Sequence, residues 1–117
     1  TPMVALSRAV GRKQAMEMLL TGDMVDAETA KSFGLINRIA APDALDAETV
    51  ALAEQIACKS PLTVKIGKEA FYKQVEMSLE DAYGFASEVM TRNMMTRDAE
   101  EGIDAFIEKR TPTWEGR

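Results

Sequence analysis

Apolar side chains recur along this 117-residue chain at helical rather than strand spacing almost from end to end. Thr1-Pro2 can start a helix, with Met3, Val4 and Leu6 following at once. Residues 12–21 (RKQAMEMLLT) carry Ala15, Met18 and Leu19, and Gly22 stands where a helix ends in a left-handed residue. Asp26 is placed as the N-cap of a short helix ending at Gly34. Pro42 and Asp43 open a helix to about Cys58, whose Leu45, Thr49, Leu52, Ala53 and Ile56 share one face. Ser60-Pro61 is an N-cap and first-turn pairing. The helix it starts runs to about Val75, burying Leu62, Ile66 and Ala70 with Phe71 at the margin. Ser78 and Asp81 have the form of a capping box before a helix with Leu79, Ala82, Tyr83, Ala86, Met90 and Met94 along one face. Thr96 begins the last helix. Asp98, Glu100 and Glu101 lie in its first turn and Lys109 and Arg110 at its end, charges that complement the helix dipole. Thr111-Pro112 stops it and leaves TWEGR as a loose tail. The only candidate strand is LINRI, residues 35–39. The expected fold is all-α, six or seven helices with at most one very short strand, forming one helical domain over residues 1–117. The abrupt amino end reads either as a cut inside a larger protein or as a helix whose usual support is absent.

Composition narrows the function classes. Hydrophobic residues make up 46% and charged residues 28%, which suits a globular core and excludes a disordered chain. The net charge of −5 disfavours nucleic acid and anionic membrane as main partners, although local basic clusters can hold a small polyanion. No run approaches the roughly 20 apolar residues of a bilayer span, and no signal peptide is visible. The chain has no histidine, which removes Ser-His and Cys-His nucleophile systems and histidine metal sites. The single cysteine, Cys58, excludes an internal disulfide, fits a reducing compartment and reads as a small core residue.

Five clusters remain as candidate chemistry. Glu100-Glu101 resembles an acid–base pair, but neighbours on a helix point about 100° apart and the helix dipole explains them better. Asp26 with Glu28, and Asp43 with Asp46, lack the ligand density of a cation loop, so no metal site is expected. Gly11-Arg12-Lys13 has the form either of a phosphate cradle at a helix start or of a solvated helix terminus. Phe106 with Lys109 and Arg110 places an aromatic ring and cations one turn apart, a pairing suited to a base and its phosphate. The plain alternative for Lys109 is a charge at a helix C-terminus.

The order of the motifs goes further. SRAVGRKQAMEMLLTGDMVDAETAKSFGLINRI (7–39) resembles the signature segment of the enoyl-CoA hydratase/isomerase (crotonase) family. The matching positions are Arg8, Gly11, Ala15, Leu20, Thr21, Gly22, Asp23, Val25, Ala27, Ala30, Gly34, Leu35 and Ile36. SPLTVKIGKEAF (60–71) resembles the family's S-P-x-A-x-x-x-x-K helix, and TRDAEEGIDAFIEKRTPTW (96–114) its closing D-x-x-E-G-x-x-A-F-x-E-K-R motif. Among the family's branches, the sequence is most similar to enoyl-CoA hydratase domain-containing proteins.

The resemblance implies the C-terminal helical trimerisation region of a crotonase-type fold, without the N-terminal β-spiral core. It implies an acyl-CoA substrate, no separate cofactor, and self-association as a trimer or hexamer. In the family, an oxyanion hole stabilises the thioester enolate and one or two carboxylates move protons. Those residues lie upstream of the matching segment, so the resemblance assigns no catalytic residue here and implies that this chain alone is inactive. Where relatives carry a glycine-rich G-G-T-Q-R-L, this chain has Thr1-Pro2-Met3-Val4-Ala5-Leu6. The closing motif implies that Phe106 and Lys109 enclose the adenine and phosphate end of coenzyme A. The expected compartment is cytoplasmic, with the mitochondrial matrix as the alternative. A reading from a different class is a non-catalytic helical interaction module or pseudoenzyme fragment.

Overall fold

A computed structural model describes residues 2–117. Seven helices follow one another: α1 (Pro2–Ala9), α2 (Arg12–Thr21), α3 (Ala27–Ser32), α4 (Leu45–Ala57), α5 (Pro61–Gln74), α6 (Leu79–Met94) and α7 (Arg97–Glu108). The chain divides into two compact units, the first ending at Thr49 and the second spanning Val50–Arg117.

In the first unit α1 packs on α2. Gly22 ends α2 in the left-handed conformation, its N–H bonded to the Met18 carbonyl. Asp26 caps α3 by accepting from the Thr29 N–H at 2.8 Å. The expected strand at 35–39 does not form. Gly34 turns left-handed after α3, and the Leu35 N–H bonds back to the Ala30 carbonyl at 2.9 Å. That closure is a Schellman motif, so a donor that a strand ladder needs is already used. α4 also starts slightly later than Pro42-Asp43 implies, after a turn closed by the Ala44 N–H on Ala41.

In the second unit α5, α6 and α7 pack against one another. Ser60 caps α5, Ser78 caps α6 and Thr96 caps α7, each side chain accepting a backbone N–H three residues on. The faces are only partly as the spacing predicts. Leu62, Ile66 and Ala70 of α5 are half-buried, while Phe71 is exposed. On α6 the stripe of Leu79, Tyr83, Met90 and Met94 points to solvent, and Phe85 and Val89 are the half-buried large residues. A helix apolar on two sides has no preferred inward face until its neighbour is in place. The Leu45–Ile56 stripe of α4 is likewise exposed, and so is Cys58, which corrects its reading as a core residue.

Among the described residues the buried apolar side chains are small: Val10, Ala15, Ala30 and Ala105. The chain exposes 9557 Å². A compact monomer of this mass presents about 6,300 Å², and two separately compact units of these two sizes about 7,500 Å². Large apolar side chains such as Leu20, Met24, Leu79, Tyr83 and Phe106 are exposed. No helix is long and apolar enough to cross a membrane among the described residues.

Candidate functional site: the α7 terminus and its carboxy-terminal strap

The start of α7 is built on a buried carboxylate. Asp98 is 1% exposed, and its carboxylate is satisfied by hydrogen bonds. Its Oδ2 accepts the Ser60 hydroxyl at 2.5 Å, and its Oδ1 accepts the backbone N–H groups of Glu115 at 2.8 Å and Gly116 at 3.1 Å. The Asp98 N–H donates in turn to the Arg117 carbonyl at 2.9 Å. Trp114 lies beside Gly102, and its indole N–H donates to the Cys58 carbonyl at 2.8 Å. The tail is therefore a strap bonded to α7 and the α4–α5 junction, which overturns its reading as loose. These bonds, led by the Ser60 hydroxyl, hold the Asp98 carboxyl below its ordinary range against the opposing effect of burial.

The end of α7 is fixed differently. Arg110 presents two nitrogens to the two oxygens of Glu101 at 2.6 and 2.9 Å, and Glu101 Oε1 also accepts the Thr113 N–H at 2.7 Å. The Arg110 hydrogen bonds and the Thr113 N–H lower the Glu101 carboxyl from its ordinary 4.5 to about 2. Sequence spacing accounts for Asp98 and Glu101 only as dipole charges. Their spacing puts them on one side of the helix, but their partners arrive from residues 60 and 110–116, which no local pattern announces.

Lys109 does not continue the helix. It is the C-cap in the left-handed region, φ 55° and ψ 39°, and no other non-glycine among the described residues has positive φ. Its N–H reaches the Phe106 carbonyl at 3.4 Å and the Arg110 N–H reaches Ala105 at 3.0 Å, a Schellman closure with lysine where glycine is usual. A side chain at this conformation costs about 1 kcal/mol. The expectation that Phe106 and Lys109 share a helix face is corrected accordingly, because the lysine leaves the helix at that residue. Phe106 is 85% exposed on the rim of a groove of ≈ 680 Å³ that Val64, Met94, Ile103 and Trp114 also line. The Lys109 ammonium has no ion-pair partner among the described residues, whereas Arg110 is fully engaged with Glu101 and Glu108.

The remaining candidates are not drawn together into a site. Gly11 caps α2 without a side-chain bond, and Arg12 and Lys13 are exposed at that terminus. Glu100 pairs with Arg97 in solvent, apart from the Glu101 clamp.

The sequence profile of the Enoyl-CoA hydratase/isomerase family matches residues 2–117. The chain belongs to that family. It is 46% identical over 114 residues to mouse "Enoyl-CoA hydratase domain-containing protein 3, mitochondrial", a match covering 97% of this chain and 38% of the relative. The crystal structure of enoyl-CoA hydratase from Mycobacterium smegmatis superposes with a TM-score of 0.94 at 51% identity, covering 97% of this chain and 44% of that one. Human enoyl Coenzyme A hydratase domain-containing protein 3 superposes with a TM-score of 0.93 at 44% identity, with 97% and 45% covered. The chain thus spans under half the length of these relatives and corresponds to a C-terminal portion of the crotonase fold.

Proposed function

We propose that this chain is the helical oligomerisation and CoA-covering part of an enoyl-CoA hydratase/isomerase acting on acyl-CoA thioesters. In this reading the whole enzyme stabilises a thioester enolate in an oxyanion hole. This part supplies no catalytic group and needs no cofactor besides the substrate's own coenzyme A. The observation that carries the reading is that Phe106 faces solvent and Lys109, three residues on at the end of α7, has no ion-pair partner among the described residues. An exposed ring and a free cation close together in the chain suit adenine and a phosphate. The exposed apolar stripes of α6 and α7 supply the surface for self-association as a trimer or hexamer. The mitochondrial names of mammalian relatives support the matrix alternative, and the cytoplasmic expectation has no such support.

The test is coenzyme A binding to the intact protein carrying Lys109→Ala. Loss of one charge-assisted hydrogen bond weakens binding by roughly 1.5–3 kcal/mol. Unchanged affinity with only a lowered melting temperature would return Lys109 to the role of a helix-terminal charge.

A further inference from the structure

We infer that Glu101 is a positioning residue for Lys109, holding the chain reversal that presents the lysine's ammonium free of the protein. The inference rests on the reading of Lys109 as a phosphate contact and adds the residue that aims it.

Lys109 occupies a conformation that side chains seldom adopt, and its own side chain makes no bond that holds it there. The hold comes from its neighbours. On one side the Phe106 and Ala105 carbonyls receive the N–H groups of Lys109 and Arg110. On the other, a single carboxylate two turns back on α7 grips both the guanidinium of Arg110 and the backbone of Thr113. The two-to-two pairing fixes the plane of the guanidinium as well as its position, which one point contact cannot do. Glu101 therefore brackets the reversal from a rigid helix, tying the residue after Lys109 and the one four after it.

The same pairing also decides which cation is available. Arg110 is consumed by Glu101 and Glu108, so the charge left over at this turn is that of Lys109. Without the clamp, Lys109 is released to more ordinary backbone conformations, which redirects its side chain, while Arg110 keeps its pairing with Glu108. A strained residue kept at a ligand-facing turn by surrounding bonds is the pattern that pre-organised binding sites show.

The experiment is calorimetric titration of coenzyme A into the intact protein as wild type, Glu101→Gln, Lys109→Ala and the double variant. Glutamine keeps the length but offers one acceptor and no charge. Glu101→Gln is expected to raise Kd about five- to tenfold in the wild-type background and to have almost no effect once Lys109 is alanine, the signature of two residues acting through one contact. Binding of a pantetheine thioester, which lacks the nucleotide, should be unchanged in all four. An equal loss in both backgrounds, or no loss in either, overturns the positioning role. If instead Lys109→Ala binds coenzyme A normally, the phosphate reading itself fails, and the positioning role falls with it. Far-UV circular dichroism checks each fold. Should Glu101→Gln not fold, Glu101→Asp, which keeps the charge but shortens the reach, is expected to give the same pattern.

Discussion

The Ser60 hydroxyl is held between two distant parts of the second unit: it accepts the Thr63 N–H that starts α5 and donates to the Asp98 carboxylate at the start of α7. One small side chain thus joins a helix cap to the residue that anchors the carboxy-terminal strap. Asp98→Ala would leave the Ser60 hydroxyl and the N–H groups of Glu115 and Gly116 without their acceptor. Unsatisfied buried groups cost more than the bonds they lose. The variant is expected to melt at least about 5 °C lower. Trp114 is the only tryptophan, so its fluorescence reports the strap directly. Emission should shift to the red in Asp98→Ala before global unfolding, and an unshifted spectrum would mean that the strap stays docked without Asp98.

Acid should cost stability through the carboxylates of α7. Glu101 titrates near 4.5 when unfolded and at about 2 when folded, held down by Arg110 and the Thr113 N–H. A lowered folded value means that its stabilisation is complete above about pH 4.5 and is lost as pH falls toward 2. Asp98, lowered chiefly by the Ser60 hydroxyl, acts in the same direction below its ordinary 3.8. In Glu101→Gln the loss of stability between pH 4.5 and 2 is expected to be shallower than in wild type, while both behave alike between pH 6 and 8. Parallel curves across the acid range would contradict the Glu101 assignment.

What the sequence revealed, and what it hid, divides along the line between local and distant interactions. The caps at Asp26, Ser60, Ser78 and Thr96, and the stop at Gly22, are legible because each involves residues within about a turn of one another. The face of α6 is not, since Phe85 and Leu79 are equally apolar and only the position of α5 separates them. Asp98 reads as an ordinary helix-start acid because Ser60 lies 38 residues away, and Trp114 reads as tail because the Cys58 carbonyl is 56 residues away. At the candidate site the residue types of Phe106 and Lys109 were legible, but the left-handed turn between α7 and Arg110 was not. A lysine at that position gives no local signal of the kind that glycine gives at residues 22 and 34.

The 117-residue chain alone is expected not to hydrate or isomerise an enoyl-CoA. The carboxylates of Asp98 and Glu101 are engaged, Asp98 with Ser60 and the strap, Glu101 with Arg110, and neither is free to move a proton to substrate. Incubated with crotonyl-CoA, it should leave the conjugated-thioester absorbance falling no faster than in buffer. Turnover well above that rate would place catalytic groups within this chain.

Self-association is expected from the exposed apolar side chains of α6 and α7, including Tyr83, Met90, Phe106 and Ile107. A surface of this kind is covered when copies meet. Sedimentation of the chain at tens of micromolar should show species larger than a monomer. Replacing Met90 and Ile107 together with glutamate should shift the distribution toward monomer. A clean monomer in both cases, with helix content intact, would remove the oligomerisation role.

The most direct test of the central claim is the crystal structure of the intact protein with coenzyme A bound. The Lys109 ammonium is expected within about 4 Å of a phosphate oxygen, the range of an ion pair, and the Phe106 ring against the adenine. Glu101 is expected to remain paired with Arg110. A nucleotide bound elsewhere, with Phe106 and Lys109 left in solvent, would contradict it.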